Sequence, residues 1–119
     1  MEAFVINGGK PLFGSALVSS SKNAILPIIS ACLLSSEECL IKHIPGLDDV
    51  SGMCELISNL GADVKVNGRA RKIAISTPQL IGYTADYELV SRLRASFLVM
   101  GPLLARAGIA KVALPGGCP

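Results

Sequence analysis

Two stretches of the chain carry apolar residues at the spacing of a helix. Residues 22–34 follow three consecutive serines at 19–21, which is the usual order of loop, N-cap and helix. The second stretch begins at Asp48 or Asp49 and stops at Gly61. Its apolar face consists of Val50, Met53, Ile57 and Leu60. The pattern therefore predicts two amphipathic helices whose apolar faces belong to the core.

Alternation of apolar and polar residues predicts strands elsewhere in the chain. The predicted strands are 3–7, 12–18, 40–44 and 111–114. Two further alternating segments, 64–66 and 73–75, flank the pair Asn67-Gly68 and predict a β-hairpin. The order strand, helix, hairpin across residues 40–75 forms one α/β unit, and the segments on either side of it resemble partial copies.

A second apolar region follows the hairpin. A short helix capped by Asp86 is predicted first, and a long apolar helix over residues 95–106 follows it. Gly108 is expected to end the long helix, and Gly101-Pro102 to kink or break it.

Length, charge and composition exclude several classes of protein. The 119 residues are about one domain, and no apolar run approaches the ~18 residues of a membrane span. No basic segment followed by an apolar one opens the chain, so we expect no signal peptide and a cytoplasmic location. A net charge of +2 and the absence of Trp argue against a nucleic-acid partner. Because 50% of the residues are hydrophobic, we expect the chain to be part of a larger protein.

The cysteines and the single histidine do not form a metal-binding pattern. No two cysteines have CxxC spacing and His43 is the only histidine, so we predict no metal site and no cofactor. Cys32 and Cys54 lie within apolar helical patterns and Cys39 lies beside a strand. These are typical positions of core thiols.

Cys118 stands in a different setting, because Gly116 and Gly117 precede it and no apolar run is near. A thiol on such a loop is exposed, and cationic neighbours would lower its pKa and increase its thiolate content. A cysteine hydrolase is disfavoured because His43 is the one histidine. General acid or adduct chemistry on an anionic substrate fits the residues better, and an unused exposed thiol remains the alternative.

Two cations stand at predicted helix starts. Lys22 and Arg94 each precede a buried helix, where the partial positive charge of free N–H groups disfavours a cation by about 0.3–1 kcal/mol. Each alone is explained as a solvated or ion-paired side chain. Together they favour an anionic ligand with more than one charged group, held between the two side chains and the free amides.

Three motifs in order along the chain resemble those of UDP-N-acetylglucosamine enolpyruvyl transferases. They are Ser-Lys22-Asn23-Ala-Ile-Leu-Pro27, Leu-Arg94-Ala-Ser-Phe followed by Gly101-Pro102-Leu, and Leu-Pro115-Gly-Gly-Cys118. The resemblance implies an α/β fold, namely an inside-out α/β barrel of repeated βαβαββ units that this chain contains incompletely. Residues 1–20 are then expected to belong to the other lobe of the full enzyme, and residues 21–119 to its first lobe, truncated.

The resemblance also implies a reaction. Enolpyruvate passes from phosphoenolpyruvate to a hydroxyl of UDP-N-acetylglucosamine with release of phosphate, in the first committed step of peptidoglycan synthesis. By similarity, Lys22 and Asn23 contact phosphoenolpyruvate, and Arg94 helps to bind the nucleotide sugar. Cys118 matches the family's acid, which protonates the methylene carbon and is alkylated by fosfomycin-type epoxides. No metal, nucleic acid or membrane takes part, and the missing C-terminal lobe is the expected protein partner.

The chain also departs from the family pattern. Ser20-Ser21 stand where the family usually has Gly-Ala, and Pro119 follows the cysteine, where the family continues towards a substrate-binding arginine. We therefore expect this chain alone to be inactive. Two alternatives remain open: an enolpyruvylshikimate-phosphate synthase, which shares the fold but lacks this cysteine loop, and a non-catalytic anion-binding or assembly module.

Overall fold

The computed structural model describes residues 2–46, 48–85 and 87–113. From residue 22 onwards the helices and strands follow the order that the sequence predicts, apart from the unpredicted strand β4, and the helices include two short 3-10 helices, η1 and η2. The elements are α1 (Lys22–Ala31), η1 (Cys32–Leu34), β1 (Cys39–Lys42), α2 (Asp48–Asn59), β2 (Asp63–Asn67), β3 (Lys72–Ser76), β4 (Thr84–Ala85), α3 (Tyr87–Arg92), η2 (Arg94–Val99), α4 (Met100–Ala107) and β5 (Lys111–Val112).

Strands β1, β2 and β3 form an antiparallel sheet with β3 in the middle. Ile73 of β3 lies opposite Ile41 on one side and Val66 on the other. The predicted hairpin is confirmed, but its loop has four residues rather than two. Asn67 stabilises this loop, since its side-chain oxygen accepts a hydrogen bond from the Ala70 N–H at 2.9 Å.

Helix α2 supplies much of the core. The four residues of its predicted apolar face are all buried, together with Ile73 and Ile75 of the central strand. Helix α1 packs against α2 and contributes Ile25, Leu26 and Ile29 to the same cluster. The amphipathic pattern of both helices is therefore confirmed by burial.

The predicted helical segment over residues 95–106 is confirmed, and its predicted break lies at Val99–Met100, where η2 gives way to α4, rather than at Gly101-Pro102. Proline lacks an N–H, so Pro102 cannot bond to the Leu98 carbonyl as a helix would require. That carbonyl instead accepts a hydrogen bond from the buried Ser30 hydroxyl at 2.9 Å. Gly108 ends α4 in the left-handed conformation with φ of 71°, as predicted.

A two-stranded parallel sheet, β4 with β5, was not predicted as a unit. The pattern did predict a strand at 111–114, of which the structure describes Lys111–Val112. Strand β4 has two residues and no alternation of apolar and polar side chains, so its pairing depends on a partner distant in sequence. The predicted Asp86 cap lies outside the described residues.

The predicted strands at 3–7 and 12–18 are wrong, because the segment 2–18 forms no strand among the described residues. Its apolar side chains are exposed, with Leu17 at 100%. A strand needs a partner that takes up its backbone hydrogen bonds, and apolar alternation alone does not supply one. Ser20, two residues before α1, donates a hydrogen bond from its hydroxyl to the His43 carbonyl.

Gly61 is expected to be the glycine at which an added side chain does most damage. Its φ is +113°, and a Cβ there would lie 2.5 Å from the Gln79 carbonyl oxygen and 2.9 Å from the Ile81 nitrogen, both backbone atoms. We expect Gly61→Ala to lower the free energy of unfolding by about 2–4 kcal/mol, measured by urea denaturation. Gly68→Ala is the control, because a Cβ at Gly68 meets nothing within 4 Å. Equal losses in the two variants would contradict this explanation.

Candidate functional site

The starts of three helices converge on one pocket. Its volume is about 360 Å³, and α1, α2 and the start of η2 all contribute to its wall. The described residues that line it are Lys22, Asn23, Leu26, Asp49, Leu93, Arg94 and Ala95. Three of the predicted site residues, Lys22, Asn23 and Arg94, therefore lie around a single hollow, although Arg94 is distant from the other two in sequence.

Helix α1 begins at this pocket without a side-chain cap. Ser21 is extended, with φ of −88° and ψ of 128°, and within the described residues its hydroxyl makes no capping hydrogen bond. Its carbonyl accepts from the amides of Ala24 and Ile25. The first amides of a helix have no partner within the helix. Those of Lys22 and Asn23 therefore present a partial positive charge at the pocket.

The start of η2 has the same character. Leu93 precedes it in an extended conformation, and again no side-chain cap is present in the described part of the chain. Arg94 is the first residue of η2, and no acidic residue stands in its first turn. The pocket thus brings together two uncapped helix starts, each of which carries a cationic residue.

The Lys22 ammonium forms an ion pair with the Asp49 carboxylate of α2. Both groups keep contact with solvent, since 53% of the lysine side chain and 33% of the aspartate side chain are exposed. An ion pair of this kind contributes at most about 1 kcal/mol. The cation at the start of α1 therefore does not require an external anion for its stability, and in this respect the sequence argument was incomplete.

Asp49 is the pocket residue that the sequence analysis missed. It was interpreted only as a possible cap of α2, and it does stand in the first turn of that helix beside Asp48. A carboxylate in the first turn stabilises a helix whether or not it has an ion-pair partner. The pairing with Lys22 has no signal in the sequence, because it depends on how α1 packs against α2. Cys118 lies outside the described residues.

The thiols of Cys32 and Cys54 are buried, which confirms their prediction as core residues. The pKa of the Cys32 thiol is raised to about 12, chiefly by burial and to a smaller extent by the neighbouring Cys39 and Cys54. Burial also raises the pKa of Cys54. Neither thiol has the depressed pKa that an activated nucleophile needs.

The described residues contain neither a metal-binding cluster nor a membrane-spanning helix. No three His, Cys, Asp or Glu side chains within ranges 2–46, 48–85 and 87–113 are grouped so that they could hold a metal ion. The helices in those ranges are too short or too polar to cross a membrane.

Comparison with known proteins assigns the chain to a family. A family model for EPSP synthase (3-phosphoshikimate 1-carboxyvinyltransferase) matches residues 6–119. The chain belongs to the EPSP synthase family. The match spans the pocket and all the elements around it, and it confirms the resemblance to enolpyruvyl transferases that the sequence motifs indicated.

Within the EPSP synthase family, the chain is similar to UDP-N-acetylglucosamine 1-carboxyvinyltransferases. It is 48% identical over 115 residues to one from Caldanaerobacter subterraneus subsp. tengcongensis. It is 46% identical over 118 residues to one from Methylacidiphilum infernorum and 47% identical over 118 residues to one from Coxiella burnetii. These matches cover 97% to 99% of this chain but only 27% of each relative. The chain therefore spans about a quarter of the length of the curated relatives it matches.

A solved structure has a similar fold. The enolpyruvyl transferase NikO from Streptomyces tendae aligns with a TM-score of 0.72 over 87% of this chain and 24% of that one, at 21% identity. This likeness confirms the predicted α/β fold of the enolpyruvate transferase type.

The raised pKa of Cys32 predicts a loss of stability at alkaline pH. Below the unfolded value of 9.0 the thiol is protonated in both states. Between 9.0 and about 12 only the unfolded chain loses the proton, so the free energy of unfolding falls as the pH rises through that window. We expect the buried thiol to account for a loss of about 2 kcal/mol between about pH 8 and about pH 10.5, measured by urea denaturation.

The Cys32→Ala variant should show a flatter dependence on pH than the wild-type protein. Ile29→Val is the control, because it also trims the core but removes no titratable group. A Cys32→Ala slope as steep as that of Ile29→Val would contradict the assignment.

Proposed function

We propose that this chain supplies part of the catalytic site of a UDP-N-acetylglucosamine 1-carboxyvinyltransferase. The full enzyme would transfer enolpyruvate from phosphoenolpyruvate to UDP-N-acetylglucosamine in the cytoplasm, and it would release phosphate at the first committed step of peptidoglycan synthesis. The observation that carries the proposal is the pocket where Lys22, Asn23 and Arg94 meet at two uncapped helix starts. The names of the similar relatives support the choice of substrates.

Phosphoenolpyruvate carries a phosphate and a carboxylate, and the pocket has matching donors. The ammonium of Lys22, the guanidinium of Arg94 and the free amides at both helix starts can each donate to an anionic oxygen. Asn23 adds a neutral side-chain donor beside them. Asp49 would hold the Lys22 ammonium in place and leave its remaining N–H groups for the substrate.

Cys118 is the proposed general acid. In the addition step, the acceptor hydroxyl attacks C2 of phosphoenolpyruvate, and the thiol delivers its proton to the C3 methylene carbon. The Cys118 thiolate then takes back one C3 proton, and phosphate leaves together with the proton of the acceptor hydroxyl, which restores the double bond as an enol ether. Fixed cations stabilise the charge that develops in both steps, because their orientation needs no rearrangement.

The domain assignment is part of the same proposal. Residues 21–119 would form the first lobe in part, and residues 1–20 would belong to the other lobe. Support comes from the segment 2–18, whose apolar side chains, including Phe4 and Leu17, are exposed in this structure. Because the chain spans 27% of its relatives, we propose that turnover requires the rest of such an enzyme.

An EPSP synthase is the second candidate function, since the family model carries that name. The two candidates share phosphoenolpyruvate and differ in the acceptor, a nucleotide sugar or a phosphorylated shikimate. The Cys118 loop and the similar relatives at 46% to 48% identity favour the nucleotide sugar. Titration of the intact chain with each acceptor in the presence of phosphoenolpyruvate would separate them.

Binding of phosphoenolpyruvate should depend on Lys22. We expect Lys22→Ala to weaken it by about tenfold or more, because a charge-assisted hydrogen bond to the anion is lost, measured by isothermal titration calorimetry. Lys42→Ala removes an equal charge from an exposed position on β1, outside the pocket, and should leave the affinity unchanged. Undiminished binding in Lys22→Ala would rule out the proposed site.

The thiols should differ in their reactivity towards an epoxide-phosphonate. We expect Cys118 to be alkylated faster than Cys32, since the pKa of Cys32 is raised to about 12 by burial and little thiolate forms there near neutral pH. Peptide mass spectrometry of the labelled full-length enzyme measures both rates. Equal labelling of the two cysteines would contradict an activated Cys118.

A further inference from the structure

A second cavity lies on the other side of the first turn of α2. Its volume is about 310 Å³, and it opens between α2 and the loop end of the β2–β3 hairpin. Val50 and Ser51 line this cavity, whereas Asp49, the preceding residue, lines the pocket with Lys22. The first turn of α2 therefore forms part of the wall of both hollows. The volume is at the lower end of the ~300–1,000 Å³ of small-molecule sites.

The cavity has apolar walls and a cationic rim. Ile44, Val66 and Ile73 provide walls from three segments of the chain, and Arg71 and Lys72 bring two positive charges. None of the described residues that line it is acidic. An apolar hollow with uncompensated positive charge is complementary to a ligand with an apolar body and a negative head.

The Arg71 side chain is held in place at the rim. Its Nε–H donates to the Ile44 carbonyl at 3.0 Å, and the Ile44 N–H donates to the Arg71 carbonyl at 3.0 Å. A guanidinium has five N–H donors, so four on the Nη atoms remain beyond this contact. Because the Arg71 guanidinium is already held in one orientation, it loses little conformational entropy when it binds a carboxylate.

The backbone around the rim is strained. Arg71 has φ of 51° and His43, the neighbour of Ile44, has φ of 60°. Within the described part of the chain, these are the two non-glycine residues with positive φ. Such conformations cost about 1–3 kcal/mol each and are concentrated at ligand sites. Their presence at one cavity supports a binding role for it.

We propose that this cavity binds a small amphipathic carboxylate, with its hydrocarbon chain against Ile44, Val66 and Ile73 and its head group on Arg71. Nothing in the proposed transferase reaction uses this site. The buried Cys54 thiol also lines the cavity.

Titration of the intact chain with octanoate tests the proposal. Octanoate should bind saturably with a Kd in about the millimolar range, from the usual binding energy per atom of small ligands. Acetate has the head without the chain and should not bind at the same concentrations. Octylammonium has the chain with the opposite charge and should bind at least about tenfold more weakly. Absence of saturable octanoate binding, or equal binding of octylammonium, would overturn the proposal.

Two arginines of the same hairpin loop provide matched variants. Arg71→Gln should weaken octanoate binding by about tenfold, because a charge-assisted hydrogen bond is lost. Arg69→Gln should leave it unchanged, since Arg69 is exposed in the same loop and does not line the cavity. Equal weakening in both variants would show a general charge effect and overturn the site.

A second measurement needs no variant. In the wild-type chain, saturating octanoate should raise the midpoint of urea denaturation, because it binds the folded state, and acetate at the same concentration should not. Absence of this shift would overturn the proposal even if Arg71→Gln failed to fold.

Discussion

The burial of helix α2 is the constraint on which both hollows depend. Met53, Leu56 and Ile57 have almost no exposed surface, so the rotation of the helix about its axis is fixed by the core. That rotation turns Asp49 towards Lys22 and Val50 towards the opposite cavity. Because removal of one large core side chain costs about 2–5 kcal/mol, a rotated α2 would be far less stable than the observed one. The apolar packing of the later turns of α2 thus fixes where the residues of its first turn lie.

The start of η2 is positioned by a different kind of interaction. Pro102 leaves the Leu98 carbonyl without its helical partner, and the Ser30 hydroxyl takes the place of that missing donor. Ser30 belongs to α1, so the hydrogen bond joins the two segments whose starts face the first pocket. At the other end, Arg106 of α4 donates to the carbonyls of Leu33 and Pro78. Carbonyls without a partner in a regular helix or strand are therefore used to connect elements distant in sequence.

The sequence was informative wherever the structure follows from local pattern. Helix α2 and the β2–β3 hairpin were predictable from local spacing alone. Apolar residues recur every three to four positions along an amphipathic helix and every two positions along a half-buried strand. Strand β4 was not predictable, since it depends on pairing with Lys111–Val112, 27 residues further along the chain. The break in the last helical segment was predictable from Pro102, and only its position, at Val99–Met100, differs. Lys22 and Arg94 were anticipated as unusual residues at helix starts and Asn23 from the family resemblance, whereas Asp49 looked like an ordinary first-turn residue.

The stability of the fold does not by itself account for the charged residues at the first pocket, which is the one lined by Lys22 and Arg94. A cation at a helix start costs about 0.3–1 kcal/mol, and a half-exposed ion pair returns about the same amount. Lys22 with Asp49 is thus close to neutral for folding, so neither residue is required by the fold. Arg94 adds a second cation at an uncapped start, and η2 has no acid in its first turn to offset it. The pocket keeps a net positive charge among its described lining residues after Asp49 has been counted, and an anionic ligand would compensate that remainder.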